Sequence, residues 1–229
     1  MLVTMATRHR LNPLALTAAL LLAGCGSQPS GAALASPHPS PTTSVSSGSL
    51  LAYAARGTDL GAGWTDTPST DGTSLTVDNA GHPCQQSYPS DSLRQAKNGV
   101  TIVNSSDPSQ VEDQIVYYRD HGAEQALKEI GDLLNTCTKY QQVNSEGATI
   151  SIDVHKSAAS SSSLGDERVA MDRRATLGGR SIYSVVFFVR VGKYVTAIFT
   201  ISGDPTEAGR LAGLAAAAST IRLKSAPAS

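Results

Sequence analysis

An α+β fold, built as an antiparallel sheet of about six strands with two main packed helices, is predicted by three features of this 229-residue chain. Between residues 99 and 202, runs rich in Val, Ile, Tyr and Phe are separated by short turn-forming stretches, which is strand-and-hairpin patterning. Two segments, 120–137 and 205–219, carry helical signals instead. Strands mostly follow strands, so there is no alternating strand–helix rhythm and no parallel sheet is expected.

The chain begins with a basic stretch, Arg8-His9-Arg10, and reaches its first acid only at Asp59. Leu14 to Ala23 is apolar apart from Thr17. Ten helical residues span about 15 Å, half of a hydrocarbon core, so this run is a secretory signal rather than a membrane span. It ends in Leu22-Ala23-Gly24-Cys25, which resembles the lipobox of bacterial lipoproteins. That resemblance implies cleavage after Gly24 and lipidation of Cys25, with palmitate-type acyl chains holding the mature chain to the bilayer. Residues 1–24 are thus read as a signal peptide. Residues 25–48, mostly Ser, Pro, Gly, Ala and Thr, are read as a disordered tether, because they bury too little apolar surface to offset their ordering entropy.

A single domain over 49–223 and a short tail at 224–229 follow. "SLLAYAARG" reads as a short helix with Ser49 as N-cap and Gly57 as its stop, then Trp64 to Thr67 as a brief extended piece. Residues 68–98, rich in Gly, Pro, Ser, Asp and Asn, read as a long loop with a helical turn after Cys84. "VTIVNS" and "QVEDQIVYY" are consecutive strands. In "DHGAEQALKEIGDLLNTC", residues Ala123, Ala126, Leu127, Ile130, Leu133, Leu134 and Cys137 form one apolar helical stripe. "ATISIDVH" alternates, with Ala148, Ile150, Ile152 and Val154 inward. "ERVAMDRR" reads as an edge strand with Val169 and Met171 inward. "SIYSVVFFVRV" is apolar on both faces and central, Gly192-Lys193 is a two-residue hairpin loop, and "YVTAIFTIS" returns. Asp204-Pro205-Thr206-Glu207 opens the last helix with an N-cap acid, Pro at the first position and Glu three residues on. Gly209 and Gly213 are read as close-packing positions against the sheet.

Charge excludes some partners. The chain holds 18 basic and 19 acidic residues, and cleavage would remove Arg8 and Arg10, leaving no basic run. Nucleic acid is therefore not an expected partner. Cys84 and Cys137 remain beyond Cys25, and in an exported chain they most simply form one disulfide. Closing a loop of about 54 residues stabilises a fold by about 4 kcal/mol in the chain-entropy model. Their spacing gives no zinc pattern, so no metal and no cofactor is expected.

Three stretches carry a resemblance: "QIVYYRDHGAEQALKEIGDLLNTC", "LGDERVAMDRR" and "VVFFVRVGKYVTAIF", with "LLAYAARGTDLGAGW" in front. Together they resemble the PknH-like extracellular sensor domain of actinobacteria, over roughly residues 49–223. The resemblance implies a lipid-anchored protein on the extracytoplasmic face of the cell membrane, whose domain has a cleft for an undefined envelope lipid or glycan. The family's kinase member carries two disulfides, whereas this chain has cysteines for one.

No motif for nucleophilic, phosphate-binding or metal chemistry is present. His82, His121 and His155 read as surface residues. The expected function is therefore non-catalytic ligand binding, not an enzyme; the alternative is an envelope hydrolase whose active site matches no motif. Within "SIYSVVFFVRV", Ile182, Ser184, Val186, Phe188 and Arg190 share one face. Asp113 likewise interrupts the apolar row Val111-Asp113-Ile115-Tyr117. Arg190 is expected at a cleft rim, where it either pairs with Asp113 or snorkels to water as a structural residue, or binds a ligand with Tyr117 and Trp64 stacking nearby. In a binding role Arg190 would offer its planar donors to an anionic ligand.

Overall fold

The computed structural model describes residues 45–69, 72–75, 84, 86–143, 147–157 and 164–226. The signal peptide, Cys25, most of the tether, His82 and the last three residues lie outside the described residues. Eight strands form one antiparallel sheet: β1 (Trp64–Pro68), β2 (Arg94–Asn104), β3 (Asp107–Tyr118), β4 (Lys139–Val143), β5 (Thr149–Lys156), β6 (Glu167–Leu177), β7 (Arg180–Val191) and β8 (Tyr194–Ile201). Their spatial order is β1-β2-β3-β8-β7-β6-β5-β4. Four helices accompany them: α1 (Ser47–Leu50), α2 (Gly57–Leu60), α3 (Gly122–Leu133) and α4 (Pro205–Lys224).

The sheet is wider than the expected six strands, and the two additional strands are its two edges. β1 and β4 each have a partner on one side only, so their patterns are short and polar. In β4 only Tyr140 and Gln142 turn partly inward. β2 also starts earlier than expected. Residues 94–98, assigned to a loop from composition, pair with β3 as far as Tyr118, and Lys97 and Asn98 are buried there. β6 is internal, not an edge: it pairs with β5 and with β7.

Topology decides where the helices lie. The chain leaves β3 near one side of the sheet and must reach β4 at the far edge, five strands away, about 24 Å at 4.8 Å per strand. α3 makes part of that crossing; its 12 residues span about 18 Å. The expected stripe is the face it buries, against Val116, Ile152, Val154, Met171, Val186, Phe188, Val195 and Ala197. From β4 the antiparallel neighbours β5, β6 and β7 lead back to β8, which closes against β3. α4 then folds over the opposite face.

That opposite face is covered over β2, β3, β8 and β7, while Lys139 of β4 and Arg174 of β6 stay exposed on it. α4 buries Ala208, Leu211, Ala212, Ala215, Ala216, Ser219, Thr220 and Leu223, and its small side chains let the helix lie close to the strands. Asp204 caps it by accepting from the Glu207 N–H at 2.9 Å, with Pro205 at the first helical position. The helix continues to Lys224, past its expected end, because Leu223 prolongs the buried stripe and Arg222 reaches back to Asp59 with two bonds of 2.8 and 2.9 Å. Gly209 and Gly213 have nothing within 4 Å of the point where a Cβ would project, so the alanines and not the glycines make the close contact.

The N-terminal segment covers this face over β2 and β3. Ser46, not Ser49, caps α1, and Gly57 starts α2 instead of ending a helix. A Cβ at Gly57 would collide with the Trp64 carbonyl, so the close approach of α2 to β1 requires glycine.

Candidate functional site: a cleft on the half-covered face

The α3 face is only half covered. α3 lies over the end of the sheet that holds Tyr118, Val195 and Phe188, and the strands continue beyond it. On that continuation Ile182 and Ile201 are 47 % and 45 % exposed. The step between helix and bare sheet is a cavity of about 310 Å³, at the small end of the range for small-ligand sites.

Its floor is apolar and comes from strand alternation. Val116 of β3, Val195, Ala197, Phe199 and Ile201 of β8, and Phe188 of β7 all line it. Phe188 and Phe199 meet edge to face, with ring centroids 6.0 Å apart at 86°. Ala126 and Ile130 of α3 form one wall; Tyr88 and Ser90 form another. The segment carrying Tyr88 and Ser90 is held in two ways. Cys84 and Cys137 are joined as expected, with Cα atoms 6.2 Å apart, and Ser90 Oγ donates to Glu129 Oε2 at 2.6 Å.

The rim is polar. Lys97, Glu112, Gln114, Gln142, Arg173 and Ser184 border the floor. Glu112 accepts from the Gln114 amide at 2.7 Å, and Arg94 is neutralised by Asp91 at 2.7 Å. Burial pushes the Tyr88 hydroxyl far above its ordinary value, with Asp91 and Glu129 adding to the effect. Burial likewise raises Tyr118. Both are neutral phenols at physiological pH and offer no phenolate nucleophile. The described histidines, His121 and His155, do not line the cavity. Among the described residues no group of three His, Cys, Asp or Glu side chains could hold a metal.

The four residues expected at a ligand site do not come together. Asp113 is fully buried on the α4 face, where it accepts from Ala55 N–H at 2.7 Å, Thr196 Oγ1 at 2.7 Å and Ser219 Oγ. Arg190 points to the α3 face and pairs with Asp166 and Glu167, each at 3.4 Å. The expected Arg190–Asp113 pair is therefore corrected, since the sheet itself stands between the two side chains. Tyr117 packs against Tyr194 in the α4-face core at a centroid distance of 5.1 Å. Trp64 sits opposite Asn104, whereas Tyr117 sits opposite Ala96, so about 26 Å of strand separates their levels. None of the four lines the cavity.

Arg173 is the cavity residue that a sequence reading passes over, although its signal was present. Val169 and Met171 face α3, and the two-residue period carries the same row to Arg173. Its guanidinium donates from Nη2 to the Tyr140 hydroxyl at 2.7 Å and lies 6.0 Å from that ring's centroid.

No family model matches the chain, and no curated protein matches it. Among solved structures it is similar to the extracellular domain of PknH from Mycobacterium tuberculosis, with a TM-score of 0.53 and 13% identity, covering 79% of this chain and 92% of that one. The similarity is one of fold.

Proposed function

We propose that this chain is a lipid-anchored extracytoplasmic protein whose domain binds a cell-envelope ligand without catalysis, in the manner of a sensor domain, and that the cleft beside α3 is its binding site. The observation that carries this reading is the half-covered sheet face: an apolar floor with a few polar groups on the rim, supported from below by a closed second core. The likeness of fold to a domain described as extracellular supports the location, as does the lipobox ending at Cys25. Cys25 is the proposed anchor on the strength of the lipobox; among the described residues no helix is long and apolar enough to cross a membrane.

A hydrolase reading would need a nucleophile beside a base. Ser90 is engaged by Glu129, which also accepts from Gln125 Nε2 at 2.7 Å, and no described histidine lines the cavity with either serine. That favours binding over turnover. The test is native mass spectrometry of the protein extracted from membranes. A discrete envelope lipid or glycan should accompany the wild-type chain and be lost from Ala197→Trp, which fills the floor. Retention of the same species by Ala197→Trp would remove the cleft as the site. Metabolic labelling with an alkyne fatty acid checks the anchor, with label on the wild type and none on Cys25→Ser.

A further inference from the structure

Arg173 differs from five arginines that are tied to acids. Arg94, Arg174, Arg190, Arg210 and Arg222 each face a carboxylate. Among the described residues Arg173 faces none, and its Nε is buried without a hydrogen-bond partner. A half-buried cation without a counter-charge is costly, because burial strips water that nothing replaces. Yet the side chain is held: the Tyr140 hydroxyl and ring fix the guanidinium at the cavity rim. Beyond Tyr140, its guanidinium makes no other hydrogen bond among the described residues.

The cavity supplies the rest of the pattern. Glu112, the rim carboxylate, lies on β3, three strand positions from β6, about 14 Å across the floor. Between the two run the apolar side chains of β8 and β7: Ala197, Phe199, Ile201 and Phe188. A ligand that satisfies both features has an anionic head at Arg173 and an apolar body over the two phenylalanines.

We propose that the cleft selects anionic amphiphiles, bearing a phosphate or carboxylate head on an alkyl chain, and that Arg173 is the residue that binds the head. This rests on the cleft being the binding site, as argued above. Arg is suited to the task because its planar fork matches both oxyanions with paired donors and keeps its charge when partly dried. Tyr140 acts as a positioning residue by orienting that fork.

The experiment is calorimetric titration of the full-length chain carrying Cys25→Ser, so that no attached acyl group competes. The probes are dodecyl phosphate, dodecanoate, the neutral dodecyl maltoside and inorganic phosphate, each below its micellar concentration. Either anionic amphiphile should bind at least about tenfold tighter than the neutral one, a difference of about 1.4 kcal/mol. Arg173→Gln should erase that preference and leave the neutral affinity in place. Whichever of dodecyl phosphate and dodecanoate binds tighter names the head. Equal binding of anionic and neutral probes, unchanged by Arg173→Gln, would overturn the role of Arg173 while leaving the cleft intact. Binding of inorganic phosphate as tightly as dodecyl phosphate would overturn the amphiphile and leave a simple anion site. No binding of any amphiphile, or binding unaffected by Ala197→Trp, would instead remove the cleft reading itself. Should Arg173→Gln fail to fold, Tyr140→Phe keeps the charge and releases its orientation, and a several-fold loss of anion preference is then the expected result.

Discussion

The two faces of one sheet are packed to opposite ends. On the α4 face a twenty-residue helix rich in alanine, together with the α1–α2 segment, closes the surface over the central strands β2, β3, β8 and β7 and encloses a carboxyl group. On the other, a twelve-residue helix spends its length crossing the sheet and leaves half the strands bare. The difference teaches how a domain of this size separates its tasks. The closed face supplies packing and a buried polar tie, and the open face is free to be concave.

The largest effect should come from the one covalent tie on the open side. Cys137→Ser removes the link that holds Cys84, and with it the wall bearing Tyr88 and Ser90. A loss of about 4 kcal/mol is expected in denaturant unfolding. A loss below about 1 kcal/mol would show that the open face does not depend on that link.

Next is the polar tie of the closed face. Asp113→Ala leaves the Ala55 N–H and the Thr196 and Ser219 hydroxyls without their acceptor in a dry site. About 3 kcal/mol is expected, read as a fall in Tm of about 9 °C. A rise in Tm would show the carboxyl to be a burden that α4 packing outweighs. Its pH dependence sets it apart from Asp59 on the same face. Burial raises the Asp113 pKa, against the opposing hydrogen bonds from Ser219, Ala55 and Thr196. Its contribution is therefore complete below the unfolded carboxylate value and is lost as pH rises through the folded one. For Asp59, burial alone would raise the pKa, but the Arg222 pair and the Arg56 N–H hold it below the ordinary value. Its contribution is present above the unfolded value and lost as pH falls through the folded one. Thermal melts across the acid range should show the deficit of Asp59→Asn shrinking toward low pH and that of Asp113→Asn shrinking as pH rises. A common direction for both would refute the assignment.

A matched pair of substitutions compares the faces directly. Ala212→Leu forces three more carbons into a fully buried contact and should cost about 2 kcal/mol. Ala197→Leu projects into the cleft and should cost under about 1 kcal/mol. Equal costs would mean the open face is packed as tightly as the closed one. The smallest effect is expected at Arg190. Its carboxylate partners are 47% and 41% exposed and 3.4 Å away, so Arg190→Met should change stability by about 0.5 kcal/mol, within the scatter of melts, and leave amphiphile binding unchanged. A large loss of binding would return Arg190 to the site.

Much of the fold was legible in the residues. The α3 stripe, the Gly192-Lys193 turn and the start of α4 are local: each is set by neighbours within about one helical turn or one hairpin. The edge strands were less legible because a strand with one bare side needs no apolar alternation, as Gln141 and Gln142 show. The site was legible only in part. The period of two correctly groups Arg190 with Phe188 and Asp113 with Ile115, and it would equally have grouped Arg173 with Met171.

By itself, then, the sequence determined which side chains share a face within each strand, where the helices begin, and that one disulfide is available to the domain. It could not determine which face of one strand matches which face of another, because that depends on pairing order. β3 meets β8 only after the chain has crossed the sheet and returned. The partners of Asp113 are 58, 83 and 106 residues away, and no local signal links them. Closing the sheet between β3 and β8 put Asp113 under α4 and left Arg173 beside an open floor, because two residues of opposite charge can pair only when the register turns them to the same side.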